Sequence, residues 1–353
     1  MRKIDEGSDT TKQQATTEVL IVDDSSLISK ALRKLFDENL GVRVAGEAPN
    51  GKEALKFMQS HTPDLVTLDI NMPVMSGDVT IKHIMIRSPA PVCLISGIDK
   101  NCYAKMMDFI RLGAVDVISK PEDGHSWEKV EKRLASVIDR LQDLHIKNIR
   151  RARTPVKARE KIHPVFPAEK LLVILGGTGG LLELQKIMPV LSLGAKTAVV
   201  VFQDMCDELG SYFASYMDAF TSYLTTDMKE ENFLLGGQCL VGPWTGNWEI
   251  RATDDNGYSL VCTDNSGNLE LDNMLITASE FLGTALRVFV LSGCDLDIEI
   301  GIESVSSGGG TVLVQTPETC LHPAPLIKMT AMELEDKCID VEKLSDELTD
   351  FLE

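Results

Sequence analysis

Short apolar runs recur through the first third of the chain, each followed by a stretch with helical spacing. The runs are VLIV (19–22), GVRVAGEA (41–48), PDLVTLD (63–69), PVCLIS (91–96) and AVDVIS (114–119). Between them, Leu27, Ile28, Ala31, Leu32 and Leu35 share one helix face, and Ala54, Leu55 and Met58 share another behind Asn50-Gly51. Further helices are expected near 78–86 and 100–112. Apolar runs this short read as buried strands. Five of them alternating with helices leave little choice but a parallel sheet with right-handed crossovers. In such a sheet ligands sit beyond the carboxyl ends of the strands.

The residues at those ends carry chemistry. The first strand ends in Asp23 and Asp24, the third in Asp69, the fourth in Ser96 and the fifth in Lys120. Three carboxylates gathered at one edge repel unless a cation holds them. An all-oxygen set suits a hard divalent ion such as Mg²⁺. A lysine and a hydroxyl beside it suit a phosphoryl group carried on one of the acids. A single strand-end acid would be an ordinary solvated loop residue; the full set is not.

The segments VLIVDDSS, DLVTLDINMPVMSG, PVCLISG and GAVDVISKP make residues 18–121 resemble a response-regulator receiver domain. That resemblance implies a flavodoxin-like fold with Asp69 as phosphoacceptor and a histidine kinase as phosphodonor. It also implies Mg²⁺ held by Asp23, Asp24, Asp69 and the backbone carbonyl of Asn71, with Ser96 and Lys120 as the phosphoryl switch pair. One position departs from the pattern. Many receivers carry Tyr or Phe three residues before the lysine, and here Val117 stands there.

The full chain has 353 residues, enough for two or three domains. Its net charge of −18 argues against a nucleic-acid partner. Apolar runs all fall short of the length that spans a bilayer, so no membrane insertion is expected. The polar N-terminus lacks a signal-peptide core, and the eight cysteines read as buried thiols of a reducing compartment. A cytoplasmic protein is expected. The expected division is a disordered tail (1–17), a receiver domain (18–140), a basic linker (141–168) and a second domain (169–353). A helix near 126–150, with Trp127, Val130, Leu134, Val137, Ile138, Leu141 and Leu144, completes the receiver. Residues 146–161 hold seven basic residues and one acid, which reads as a solvated hinge between acidic bodies.

The second half begins with LLVIL (171–175), then Gly176-Gly177-Thr178-Gly179-Gly180, a helical stretch and KTAVVVFQD (196–204). A strand, glycine turn, helix and strand can cradle phosphates, bind a dinucleotide or carry a nucleophile on an elbow. The dinucleotide spacing, laid on Gly177, Gly179 and Leu182, lacks its third glycine. The C-terminal stretch 333–353 reads as one or two amphipathic helices with an acidic, solvated face.

Domain order and several motifs make residues 169–353 resemble the effector of chemotaxis protein-glutamate methylesterases. Those enzymes hydrolyse glutamate methyl esters, and deamidate glutamine, on chemoreceptors. The glycine turn matches a G-A-S-T-G-G turn, and Gln203-Asp204-Met205 matches a strand ending Q-H-M. LSGCDLDI (291–298) and TVLVQTPETC (311–320) match later segments. The resemblance implies a second α/β domain, doubly wound. It places the serine nucleophile at Gly177, the histidine base at Asp204 and the third triad member at Asp297. Two of the three functional groups are therefore absent. Asp295 falls in the oxyanion segment, and an arginine-proline-serine substrate segment is replaced near Leu269–Asp272. Thr178 and Cys294 are the neighbouring nucleophile candidates. His322, the sole histidine beyond residue 163, reads as a surface-loop residue. The leading expectation is a response regulator with a non-catalytic effector that binds a chemoreceptor or adaptor. A methylesterase or deamidase with a rearranged site, and a nucleotide-binding module at Gly176–Gly180, remain open beside it.

Overall fold

The structure, a computed structural model, describes residues 17–97, 102–121, 127–149, 155–158, 161–192, 194–205, 207–243, 245–268, 270–295 and 297–352. Nearly all of the expected tail, and residues 150–154 and 159–160 of the expected linker, lie outside the described residues.

The apolar runs of the first third become β1 (Glu18–Val22), β2 (Arg43–Ala48), β3 (Leu65–Leu68), β4 (Val92–Ser96) and β5 (Asp116–Ser119). They form one parallel sheet in the order β2-β1-β3-β4-β5. Every residue of β3 and β4 is buried, as strands covered by helices on both faces require. The crossovers are α1 (Ser26–Lys34), α2 (Gly51–Phe57), α3 (Gly77–Arg87) and α4 (Cys102–Leu112), and α5 (Glu128–Arg140) follows β5. Ser25 caps α1 by accepting the Ile28 N–H, and Asn50 caps α2 by accepting the Glu53 N–H. The apolar stripe expected to 150 ends earlier as a helix. After Arg140 the chain breaks into two 3₁₀ turns, Leu141–Asp143 and Ile146–Asn148, that lead to the second domain.

The second domain is built on β6 (Lys170–Gly176), α6 (Gly180–Ile187), β7 (Thr197–Gln203), α7 (Asp207–Asp218), β8 (Leu224–Asp227), β9 (Glu231–Phe233) and β10 (Gln238–Pro243). It continues with β11 (Thr245–Ala252), β12 (Tyr258–Asn268), α8 (Asp272–Leu282), β13 (Leu286–Val290), α9 (Glu299–Ser307) and β14 (Thr311–Gln315). It ends with α10 (Ala324–Ala331), β15 (Lys337–Ile339) and α11 (Leu344–Leu352). Seven strands form a parallel sheet ordered β15-β14-β13-β6-β7-β10-β8. The chain winds outward from β6 in one direction and returns to its other side at β13, so the crevice lies beyond β6, β7 and β13. β9, β11 and β12 form a separate antiparallel sheet. At the C-terminus the expected helices are corrected in part: a three-residue edge strand, β15, precedes the one helix α11. Cys338 and Lys337 in β15 are exposed, so no two-faced apolar run marks that strand in the sequence.

The two domains share one apolar cluster. It runs from Met106, Met107, Phe109 and Ile110 on α4 to Leu181, Leu184, Leu209 and Phe213 on α6 and α7. Inside this interface the Gln185 carboxamide donates to the Met107 carbonyl at 3.2 Å. Phe289, on the interior strand β13, belongs to the same cluster and is fully buried. Phe289→Ala is expected to cost about 3–5 kcal/mol in urea unfolding. A loss below about 1 kcal/mol would show that this core is not close-packed there.

Candidate functional site

β1 and β3 are parallel neighbours, so their C-terminal residues emerge side by side. The Asp23 N–H donates to Ala48 and the Asp69 N–H to Val22, which fixes both backbones in the sheet. The side-chain oxygens of Asp23, Asp24 and Asp69 lie within 4.8 Å of one another. Asp23 and Asp69 are buried and Asp24 is exposed. Lys120 reaches in from the end of β5, 2.7 Å from Asp23 Oδ2 and 3.1 Å from Asp69 Oδ1. Ser96 ends β4 beside it, buried, and its carbonyl accepts the Lys120 N–H at 2.8 Å. Asp24 and Asn71 open onto a cleft of about 600 Å³ shared with Lys82 and Lys105. The strand-end residues singled out in the sequence are therefore brought together.

Burial raises the Asp69 carboxyl above its ordinary value of 3.8, and it outweighs the pull of Lys120 in the other direction; Asp23 adds to the rise. For an acid with a raised folded-state pKa, the associated stability is present below the unfolded value and is lost as pH climbs through the folded one. Asp69→Asn removes the cost of burying that charge, while Lys120 keeps Asp23. The variant is therefore expected to melt higher than the native chain at neutral pH. The gap should close as pH falls below the ordinary carboxylate range. Equal melting temperatures at both pH values would contradict it.

Lys120 pairs with Asp23 and Asp69, and with Asp24 beside them the three carboxylates leave excess negative charge at a partly buried edge. All donors are oxygens, so the set fits a divalent cation of the Mg²⁺ kind.

The residues aligned with an esterase triad are arranged differently. Gly177 follows β6, and the turn after β13 lies directly against it. A Cβ built on Gly177 would stand 1.7 Å from the Gly293 carbonyl oxygen and 2.2 Å from its carbon. The Gly177 N–H donates to the Ser292 carbonyl, and Ser292 Oγ donates to the Thr178 carbonyl at 2.9 Å. Ser292 Oγ also accepts the His322 N–H at 3.0 Å. This backbone contact fills the volume that a nucleophile's side chain would occupy. The glycines on either side serve packing too: Cβ atoms at Gly176 or Gly180 would lie 2.3 and 2.4 Å from Gln203 Oε1. Gln203 and Gly293 thus pack directly against the turn.

Asp204 and Asp297 line one cleft of about 1230 Å³ between α5 and the second domain; Gly177 is not among its lining residues. Asp297 is exposed, and its carboxyl is raised by a shared hydrogen bond with Glu299. Asp204 is held by two arginines of α5. Arg133 Nη1 donates to Oδ1, and Arg140 Nη1 lies 3.3 Å from Oδ2. Arg133 also grips Asp116, through Nε at 2.7 Å and Nη2 at 2.9 Å. Burial works against the Arg133 charge, but Asp116 and Asp204 outweigh it and raise its pKa. Arg140 also donates to Thr178 Oγ1, so this hydroxyl faces a cation.

The expectation for His322 is corrected. It is buried, 4% exposed, behind the Ser292–Gly293 turn, because its own N–H and carbonyl bind that turn. Burial, aided by Arg140, lowers its pKa, and Nδ1 has no hydrogen-bond partner among the described residues. Cys294 is buried in the apolar cluster of α8 and α9. Glu270, Asp272, Asp295 and Asp297 all face the cleft, which makes its second-domain wall acidic; Leu269 lies outside the described residues.

Sequence reasoning missed Arg133, Arg140 and Asp116. The seven-residue spacing of the arginines puts both on one face of α5. That signal was present, but charged residues on an amphipathic helix ordinarily face solvent.

Residues 19–130 match the response regulator receiver domain family, and residues 172–348 match the CheB methylesterase family. A protein-glutamate methylesterase/protein-glutamine glutaminase of Pyrococcus horikoshii is 29% identical over 317 residues, 86% of this chain and 84% of the relative. Its counterpart in Methanococcoides burtonii is 26% identical over 331 residues, 92% of this chain and 93% of the relative. The solved CheB methylesterase catalytic domain of Thermotoga maritima is 23% identical, with a TM-score of 0.46. It covers 51% of this chain and 97% of that one.

Proposed function

The chain belongs to the CheB methylesterase family, with a receiver domain ahead of that family's domain, and on this premise we propose a chemotaxis response regulator, phosphorylated on Asp69, whose effector binds a partner instead of hydrolysing esters. The observation that carries the effector half is Gly177. There is no hydroxyl at that position and no room for one, since Gly293 occupies the space. The base position holds Asp204, neutralised by Arg133 and Arg140. Loss of nucleophile or base from a serine-histidine-aspartate system costs about 10⁶-fold in rate. The acidic cleft wall also opposes the negative charge that develops on an ester oxygen during attack.

In the receiver half, Asp23, Asp24, Asp69 and the Asn71 carbonyl are the residues that would hold Mg²⁺. The ion would neutralise charge on the incoming phosphoryl group. Asp69 supplies the attacking oxygen, a new O–P bond forms, and the donor's leaving group departs with the electrons of the broken bond. Lys120 already contacts Asp69 and stands ready to pair with the added charge. Ser96, at the neighbouring strand end, supplies a hydroxyl to the same group. A histidine kinase is the phosphodonor this chemistry calls for, and the effector's partner is a chemoreceptor or an adaptor bound to one. No described helix is long and apolar enough to cross a membrane.

Methanol release from methylated chemoreceptors tests the effector assignment. None above a no-protein control is expected. Release that disappears in Cys294→Ala or His322→Ala would instead establish a rearranged methylesterase.

A further inference from the structure

Asp204 directly follows β7 at the crevice of the second domain, yet its side-chain partners come from the receiver. Arg133 Nη1 donates to one carboxylate oxygen, Arg140 Nη1 lies 3.3 Å from the other, and Arg133 Nη2 reaches the Asp204 carbonyl at 3.4 Å. The Asp204 side chain is 13% exposed, and those of Arg133 and Arg140 are 22% and 19% exposed. These are partly desolvated, charge-assisted contacts, the class with the largest individual strength. Arg140 is itself fixed, since its Nε donates to the Ser136 carbonyl at 2.9 Å and its Nη1 to Thr178 Oγ1. Arg133 is fixed by Asp116, the first residue of β5, whose other end leads to Lys120.

We propose that Asp204 is the effector-side half of an inter-domain charge clamp, closed by Arg133 and Arg140, that holds α5 of the receiver over the effector crevice. An imidazole at this position could not bind two guanidiniums, so the residue that removes a catalytic base is the same one that creates the clamp. Asp116, which holds Arg133, opens β5, and Lys120 of the phosphorylation centre directly follows the other end of that strand. The clamp is separate from the apolar α4 contact with α6 and α7, so breaking it should loosen α5 without parting the domains.

Hydrogen exchange on the full chain tests this. Asp204→Asn leaves Arg133 paired with Asp116, so the receiver keeps its own contacts. Amides of α5 and of the turns at 177–180 and 291–295 are expected to exchange about tenfold faster or more, with β1 and β3 unchanged. Arg140→Gln should act on the same segments. In 1 M salt the native chain should approach the variant's exchange, while the variant changes little, because screening and substitution remove the same interaction. Unchanged exchange in α5 would overturn the clamp, and so would acceleration spread evenly over both sheets. Phosphate incorporation at Asp69 does not depend on this result, so the two proposals fail separately.

Discussion

Asp69→Ala is expected to abolish phosphate incorporation from acetyl phosphate and Mg²⁺, taking the signal to background. The argument is geometric. Asp69 is the carboxylate that Lys120 contacts at 3.1 Å, with Asp23 and Asp24 oxygens within 4.8 Å to share a cation. Asp23 is tied more closely to Lys120, at 2.7 Å, and Asp24 is exposed. Asp69→Ala removes the acceptor oxygen and leaves the other two acids in place. Asp23→Asn and Asp24→Asn should instead raise the Mg²⁺ concentration needed, since each removes one donor charge. Incorporation that survives Asp69→Ala would move the acceptor elsewhere and sink the assignment. Val117, within β5, is buried at 2% exposed, so no aromatic side chain can swing at that position when the phosphoryl arrives. Any transmitted change has to travel through β5, Lys120 and the helices themselves.

The second large effect concerns restoration. The double substitution Gly177→Ser with Asp204→His returns both missing triad groups, yet it is expected to give no ester hydrolysis. Gly177→Ser alone should lower stability by about 1–3 kcal/mol in urea unfolding, the usual cost of forcing atoms into a filled site. The obstacle is the Gly293 carbonyl, 1.7 Å from the new Cβ. It is backbone, locked by Ser292 to Thr178 and by His322 to the same turn, and cannot rotate aside as a side chain would. Asp204→His would also face Arg133 and Arg140 with no negative charge between them. Methanol release by the double variant, at a rate well above the single variants, would show that the crevice still opens. That result would falsify the filled-elbow reading while leaving the phosphorylation centre untouched.

Much of this was legible in the residues. Strand-end acids are readable because a buried parallel strand leaves one polar residue at its carboxyl edge. Asp23, Asp24, Asp69, Ser96 and Lys120 each occupy that place. The loss of the nucleophile was readable too, since glycine has no side chain whatever its surroundings. Other features were hidden. β15 was missed because an edge strand with two exposed residues carries no two-faced apolar run. His322 looked like a loop residue because its burial depends on a turn thirty positions away in sequence, bound through its own backbone N–H.

The sequence by itself determined the parallel sheet of the first domain and the gathering of three carboxylates with Lys120, and through its resemblance to the methylesterases it pointed to a missing serine at position 177 and a missing histidine at position 204. The first two follow from local pattern and residue chemistry; the last follows from the resemblance. Only the tertiary structure decided that the vacated elbow is filled by Gly293 and that Asp204 answers to Arg133 and Arg140 across the domain boundary. It also decided that the two domains share one core through α4. The physical reason is distance along the chain: each of these contacts joins segments dozens of residues apart. Backbone proximity and ion pairing of that kind leave no periodicity in the sequence to read.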